Sequence, residues 1–153
     1  MQQMKLMRQM IALFMLAICA YTDIKKKYIY LVPLVICAVG GSLIVLTAYF
    51  AIPEYTGVEL TNDLITPALA GTVLILLAKC ADRYIGSGDG YLMTALGILI
   101  GNRCNLYVAA VGSVLASGYA FVMLVRKKKR FMSSIPFAPF VMAGFVMVTA
   151  YEI

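Results

Sequence analysis

The chain has 153 residues, of which 63% are hydrophobic and 13% charged, with a mean hydropathy of +0.91. That is about half the charge of a typical soluble domain, and it excludes one. At about 20 residues per spanning helix there is room for roughly six spans and little else, so the expectation is an all-α integral membrane protein, one transmembrane domain over residues 1–153. The net charge of +6 sits in short basic clusters beside apolar runs, which reads as membrane topology and not as nucleic-acid binding. Cys19, Cys37, Cys80 and Cys104 are far apart, form no CxxC pair and have no histidine beside them, so neither a metal site nor a disulfide framework is expected.

In chain order, the first apolar segment is Ile11 to Tyr21, extended by Met4, Leu6 and Met7 if Lys5 and Arg8 snorkel to the interface. Its basic start and small residues resemble a signal peptide, but Lys25, Lys26 and Lys27 follow at once and oppose export of that end, so an uncleaved helix is expected. The second helix is the uncharged run Tyr28 to Ile52. The stretch Pro53 to Asp63, with Glu54, Glu59 and Asp63 and no basic residue, reads as an external loop. A third helix runs from about Leu64 to Ala78, and a loop from Cys80 to Gly90 leads to a short fourth, Tyr91 to Gly101. A turn at Asn102, Arg103 and Asn105 precedes a fifth helix ending near Val125, whose Gly112, Ser113, Ala116, Ser117 and Gly118 suit close helix packing. The basic run Arg126 to Arg130 closes it. The last helix, about Phe131 to Tyr151, opens on IPFAPF, where Pro136 and Pro139 free backbone groups that the bundle must satisfy.

Counting places the loops. With those after the first, third and fifth helices inside, that side holds Lys25, Lys26, Lys27, Lys79, Arg83, Arg126, Lys127, Lys128, Lys129 and Arg130, against Lys5, Arg8 and Arg103 outside. Six helices with both termini outside is therefore the expected topology. Asp23 and Asp89 then share the cytoplasmic face, each at the end of an apolar helix, while Asp63 lies at the other. Asp82 beside Arg83 reads as a surface charge.

Asp89 stands within GSGDGYLMTALG, Gly86 to Gly97. An acid at membrane depth is costly and by default functional; Gly86, Gly88 and Gly90 permit unusual backbone angles or close approach of another chain. The plain alternative is a turn whose aspartate caps the next helix. Two carboxylates at one membrane face, with no histidine in the chain, favour water as nucleophile: the pair shares a proton, its ionised member deprotonates water and its protonated member polarises a carbonyl.

Three stretches in order, DIKKKYI from Asp23 to Ile29, GSGDGYLMTALG, and IPFAPF from Ile135 to Phe140, resemble the prepilin peptidase family, membrane aspartyl proteases with a GxGD signature. The resemblance implies that Asp23 and Asp89 are catalytic; with no histidine and no paired cysteines to hold one, no metal and no cofactor are expected. It also implies removal of the basic leader of type IV prepilins or pilin-like precursors at the cytoplasmic face of the cell membrane. Two positions depart from the family pattern: Tyr30 and Leu31 follow Ile29 where Pro-Asn is usual, and Tyr91 stands where lysine is common. Larger members add a cytoplasmic domain with two CxxC pairs and methylate the new N-terminus; neither is expected here. The rivals are a small transporter or channel subunit using the same acids, and an inactive assembly protein.

Overall fold

In the computed structural model, residues 2–26, 28–52, 55–80, 87–126 and 136–151 are described. They form helices α1 (Gln2–Lys26), α2 (Leu31–Ala51), α3 (Gly57–Leu60), α4 (Thr66–Cys80), α5 (Ser87–Ile100), α6 (Asn102–Val125) and α7 (Ala138–Tyr151), with a π-helical turn, Thr61–Ile65, joining α3 to α4. There is no strand among the described residues. Apolar sequence in lipid leaves the backbone no partner but itself, so long apolar runs become helices. Among the described residues, three are long and apolar enough to cross a membrane: Gln3–Lys26, Leu31–Ala51 and Asn102–Val125. Helices α5 and α7 are apolar but shorter.

Prolines and one glycine set the breaks. Pro33 and Pro139 fall in the first turns of α2 and α7, where a missing N–H costs nothing. Pro67 cannot donate to the carbonyl four residues back, and the helix accommodates it with the π turn: the Thr66 N–H reaches Thr61 O, five residues back. Between α5 and α6 the chain reverses on Gly101 alone, at φ 82°, an angle glycine adopts without strain. The expected turn at Asn102, Arg103 and Asn105 is thus corrected, since all three lie in α6. The loop expected over residues 53–63 is helical from Gly57 onward, opened by a capping box in which Thr56 and Glu59 bond reciprocally.

Helix α5 is the central element. Leu92, Met93, Ala95, Leu96, Ile98 and Leu99 are buried around most of its circumference, and it packs against α1, α2, α4 and α6. Two glycines bring α4 close to it. The side chain of Thr94 lies over Gly71, and a Cβ at Gly90 would fall 2.8 Å from Ile75 Cγ1 and 3.2 Å from its backbone nitrogen. Helix α7 packs on α1 and α6. Its crossing with α6 is backbone on backbone: a Cβ at Gly144 would lie 2.9 Å from Val108 O, and one at Gly112 3.2 Å from Val141 Cα. Of the small residues expected to mediate packing on α6, Gly112 does so, whereas nothing lies within 4 Å of Gly118 and Ser113 and Ser117 are exposed.

Candidate active site

Helix α1 carries a buried stripe at helical spacing, Arg8, Ala12, Met15, Leu16, Cys19 and Asp23. The apolar members join the core; the charged members sit at its two ends. Asp23 lies in the last turns of α1 and is only 7% exposed. The helix extends past it to Lys26, so Asp23 lies at the end of the apolar helix, as expected, and within its last turns.

A buried carboxylate needs donors, and α7 supplies one. Asp23 Oδ2 accepts from the Ala138 N–H at 3.0 Å. Ala138 is the first residue of α7, one of the N-terminal positions whose N–H has no partner within the helix. The IPFAPF stretch therefore aims at Asp23 the backbone donor that its prolines leave outside the helix ladder. Pro136 precedes the helix and Pro139 is its second residue; both are partly buried beside this contact. The positive end of the α7 dipole meets a negative side chain there.

Asp89 occupies the first turn of α5, which begins at Ser87. It is partly buried, and it lies close enough to Asp23 for the charge of one to act on the other. Since α5 starts before it, Asp89 does not cap the helix as the plain alternative required; it projects from the first turn. Gly88 and Gly90 flank it inside the helix and serve packing. A Cβ at Gly88 would sit 3.3 Å from Ile29 Cβ, so the chain following α1 lies against the start of α5. Gly86, Asp82 and Arg83 lie outside the described residues. Ile29 is buried, while Tyr30, Leu31 and Tyr91, the positions that depart from the family pattern, are exposed around the site.

Lys25 and Lys26 turn away from Asp23, and Lys27 lies outside the described residues. Lys25 Nζ donates to Tyr21 OH at 2.6 Å and Lys26 Nζ to Tyr30 OH at 2.7 Å, each also over the tyrosine ring. Among the described residues, no basic side chain is paired with Asp23 or Asp89. Nor, among those residues, do three metal-ligating side chains converge.

The opposite end of α1 holds a cluster not foreseen from sequence. In place of the expected snorkelling to the interface, Arg8 is 8% exposed, and its Nη1 meets Asp63 Oδ2 at 2.6 Å. Arg8 Nε donates to Leu99 O and Nη2 to Ile98 O, both at 2.9 Å. Those carbonyls belong to the last turn of α5, which at 14 residues is about 21 Å long, shorter than a hydrocarbon core of about 30 Å. Their helical partners are missing at a depth where water is scarce, and the guanidinium fork replaces them. Tyr55 OH also donates to Asp63 Oδ2, at 2.9 Å; burial first, and that bond second, push the tyrosine pKa above its ordinary value. A cavity of about 60 Å³ beside this cluster, lined by Lys5, Arg8, Asp63, Leu99, Cys104 and Thr149, has space for a few waters and not for a polypeptide.

A helical membrane protein in which a buried aspartate takes an N–H from a helix N-terminus, and in which neither Asp23 nor Asp89 has a basic partner among the described residues, is the class that fold and site define. Within it, residues 10–121 match the Type IV leader peptidase family, and the chain belongs to that family. The match spans more than half of the chain, including Asp23 and Asp89. No curated protein and no solved structure matches the chain.

Proposed function

We propose that this leader-peptidase relative is an aspartic endopeptidase that uses Asp23 and Asp89 to cut the basic leader from type IV prepilins or pilin-like precursors. The observation that carries this reading is Asp23, buried and bonded to the Ala138 N–H at the start of α7, with Asp89 in the first turn of α5, whose Gly88 packs against Ile29 just beyond α1. In the reaction one carboxylate is ionised and takes a proton from water, while the other is protonated and donates to the scissile carbonyl oxygen. The water oxygen bonds to the carbonyl carbon. Collapse of the tetrahedral intermediate then breaks the C–N bond: the proton held by the first carboxylate passes to the leaving amine, and a hydroxyl of the intermediate returns a proton to the second carboxylate as the C=O bond reforms.

The basic asymmetry of the loops supports a six-span topology in the cytoplasmic membrane with both termini outside and both acids at the cytoplasmic face. A precursor with a basic leader on that side and an apolar helix in the bilayer would present its junction at the acids. No N-methylation is proposed. Co-expression with a prepilin should yield a shortened product on a gel, resistant to EDTA, with an unmethylated N-terminus by mass spectrometry. Asp89→Asn should yield only full-length precursor; cleavage by that variant would reject the reading. Single cysteines replacing Lys26 and Lys128 should label from the cytoplasm and one replacing Glu59 from outside.

A further inference from the structure

The reaction proposed above makes no use of Arg8, yet the chain buries this arginine and directs three of its donors. It binds two consecutive carbonyls of α5, Ile98 O and Leu99 O, and through Asp63 it also holds the segment leading into α4. Asp63 is itself fixed, by Tyr55 on one side and by the close approach of Gly101, where a Cβ would lie 2.9 Å from Oδ1. Between this cluster and the acid pair, α1 and α5 pack together, and Met15, Leu16, Leu92 and Leu96 belong to the one apolar core they share. Such a seam is axially permissive in lipid. The bilayer is as apolar as leucine, so sliding one helix along another loses packing but incurs no hydrophobic penalty. A guanidinium fork on two successive carbonyls is directional and cannot survive a slip of one turn, about 5.4 Å.

Asp23 rides on α1 and Asp89 on α5, each at the end away from Arg8. We propose that Arg8, braced by Asp63, is a positioning residue that fixes the register of α1 against α5 and thereby the separation of the two carboxylates, about 22 Å away along α1. That Asp23 and Asp89 are catalytic rests on the function proposed above; the register itself does not.

Two readouts separate these claims. The first needs no activity. In a chain with its native cysteines replaced by alanine, Asp23→Cys and Asp89→Cys are treated in membranes with a short bifunctional thiosulfonate. Cross-linking should be fast with Arg8 present, severalfold slower in Arg8→Gln, and intermediate in Arg8→Lys, whose single ammonium cannot span two carbonyls. The second readout is leader cleavage with both acids intact. Arg8→Gln should lower kcat about 100-fold, the scale expected for a displacement of about 1 Å in reacting groups, with KM little changed because the cluster lies far from the cleavage junction. Cross-linking rates in Arg8→Gln and Arg8→Lys equal to that of the Arg8 chain overturn the register proposal, whatever the cleavage assay gives. If Arg8→Gln does not accumulate in membranes, Arg8→Lys and Asp63→Asn decide on the same cross-linking readout. Loss of cross-linking in the Arg8 variants together with full cleavage by Asp23→Asn would keep the register and reject the catalytic reading.

Discussion

The two ends of α1 treat an acid in opposite ways, one partly buried and one buried. At the Arg8 end, Asp63 is neutralised at 2.6 Å, takes a second bond from Tyr55, and belongs to a cluster that also completes the last turn of α5. At the other end, Asp23 receives a backbone N–H, while Lys25 and Lys26 are held by tyrosines. A neutralised buried acid is a structural joint, because removing one partner strands the other. The acids at the other end have no such partner among the described residues, which is the setting the proposed proton sharing requires. Membrane depth alone therefore does not mark a reactive aspartate; the nature of its partner does.

That contrast breaks if mutations at the two ends behave alike. The largest effect is expected at the acid pair: Asp23→Asn should lower cleavage by about 10⁴-fold or more, measured by gel shift or peptide assay, with no change in melting temperature. An asparagine oxygen can still accept from Ala138 N–H but cannot cycle a proton. Asp23→Ala should lose activity equally and also stability, by about 1–3 kcal/mol, because it leaves that buried donor unpaired.

At the joint the expected order is reversed, with stability as the primary loss. Arg8→Gln should destabilise by about 3–5 kcal/mol in a detergent melt, since it leaves Asp63 without its cation and two helix-terminal carbonyls without donors. Smaller again is the α6–α7 crossing, where Gly144→Ala places a methyl 2.9 Å from a backbone oxygen and should cost about 1–3 kcal/mol. Gly118→Ala meets nothing within 4 Å and should change the melt by no more than about 0.5 kcal/mol. Equal costs at Gly144 and Gly118 would contradict the close crossing.

Much of this is legible in the sequence, for physical reasons specific to each part. Long apolar runs have only one backbone solution in lipid, so the helical segments are readable, although several boundaries are not: glycines 88 and 90 look like loop residues until their neighbours Ile29 and Ile75 are seen to need the space. Asp23 and Asp89 stand out because charges are rare beside apolar runs, and the prolines of IPFAPF announce free backbone donors without saying what accepts them. The Arg8–Asp63 joint escapes a sequence reading because its two charges are 55 residues apart and each sits near an apparent loop, where a solvated charge is the ordinary explanation. One signal is available. Arg8 falls on the same helical stripe as Ala12, Met15, Leu16, Cys19 and Asp23, which places it toward the core and not toward the interface. The Gly112–Gly144 contact is half visible, since the small residues of α6 suggest close packing but not which of them faces α7.

The central claim is that Asp23 and Asp89 act as one unit, and the most direct measurement is a double-mutant comparison of leader cleavage in membranes. Asp23→Asn, Asp89→Asn and the double variant should all fall to the same residual rate, because removing either member already disables the shared-proton cycle. Asp82→Asn, in the same stretch of chain as Asp89, should retain most activity. Partial losses that multiply in the double variant, or a loss in Asp82→Asn with retention in Asp89→Asn, would contradict the account.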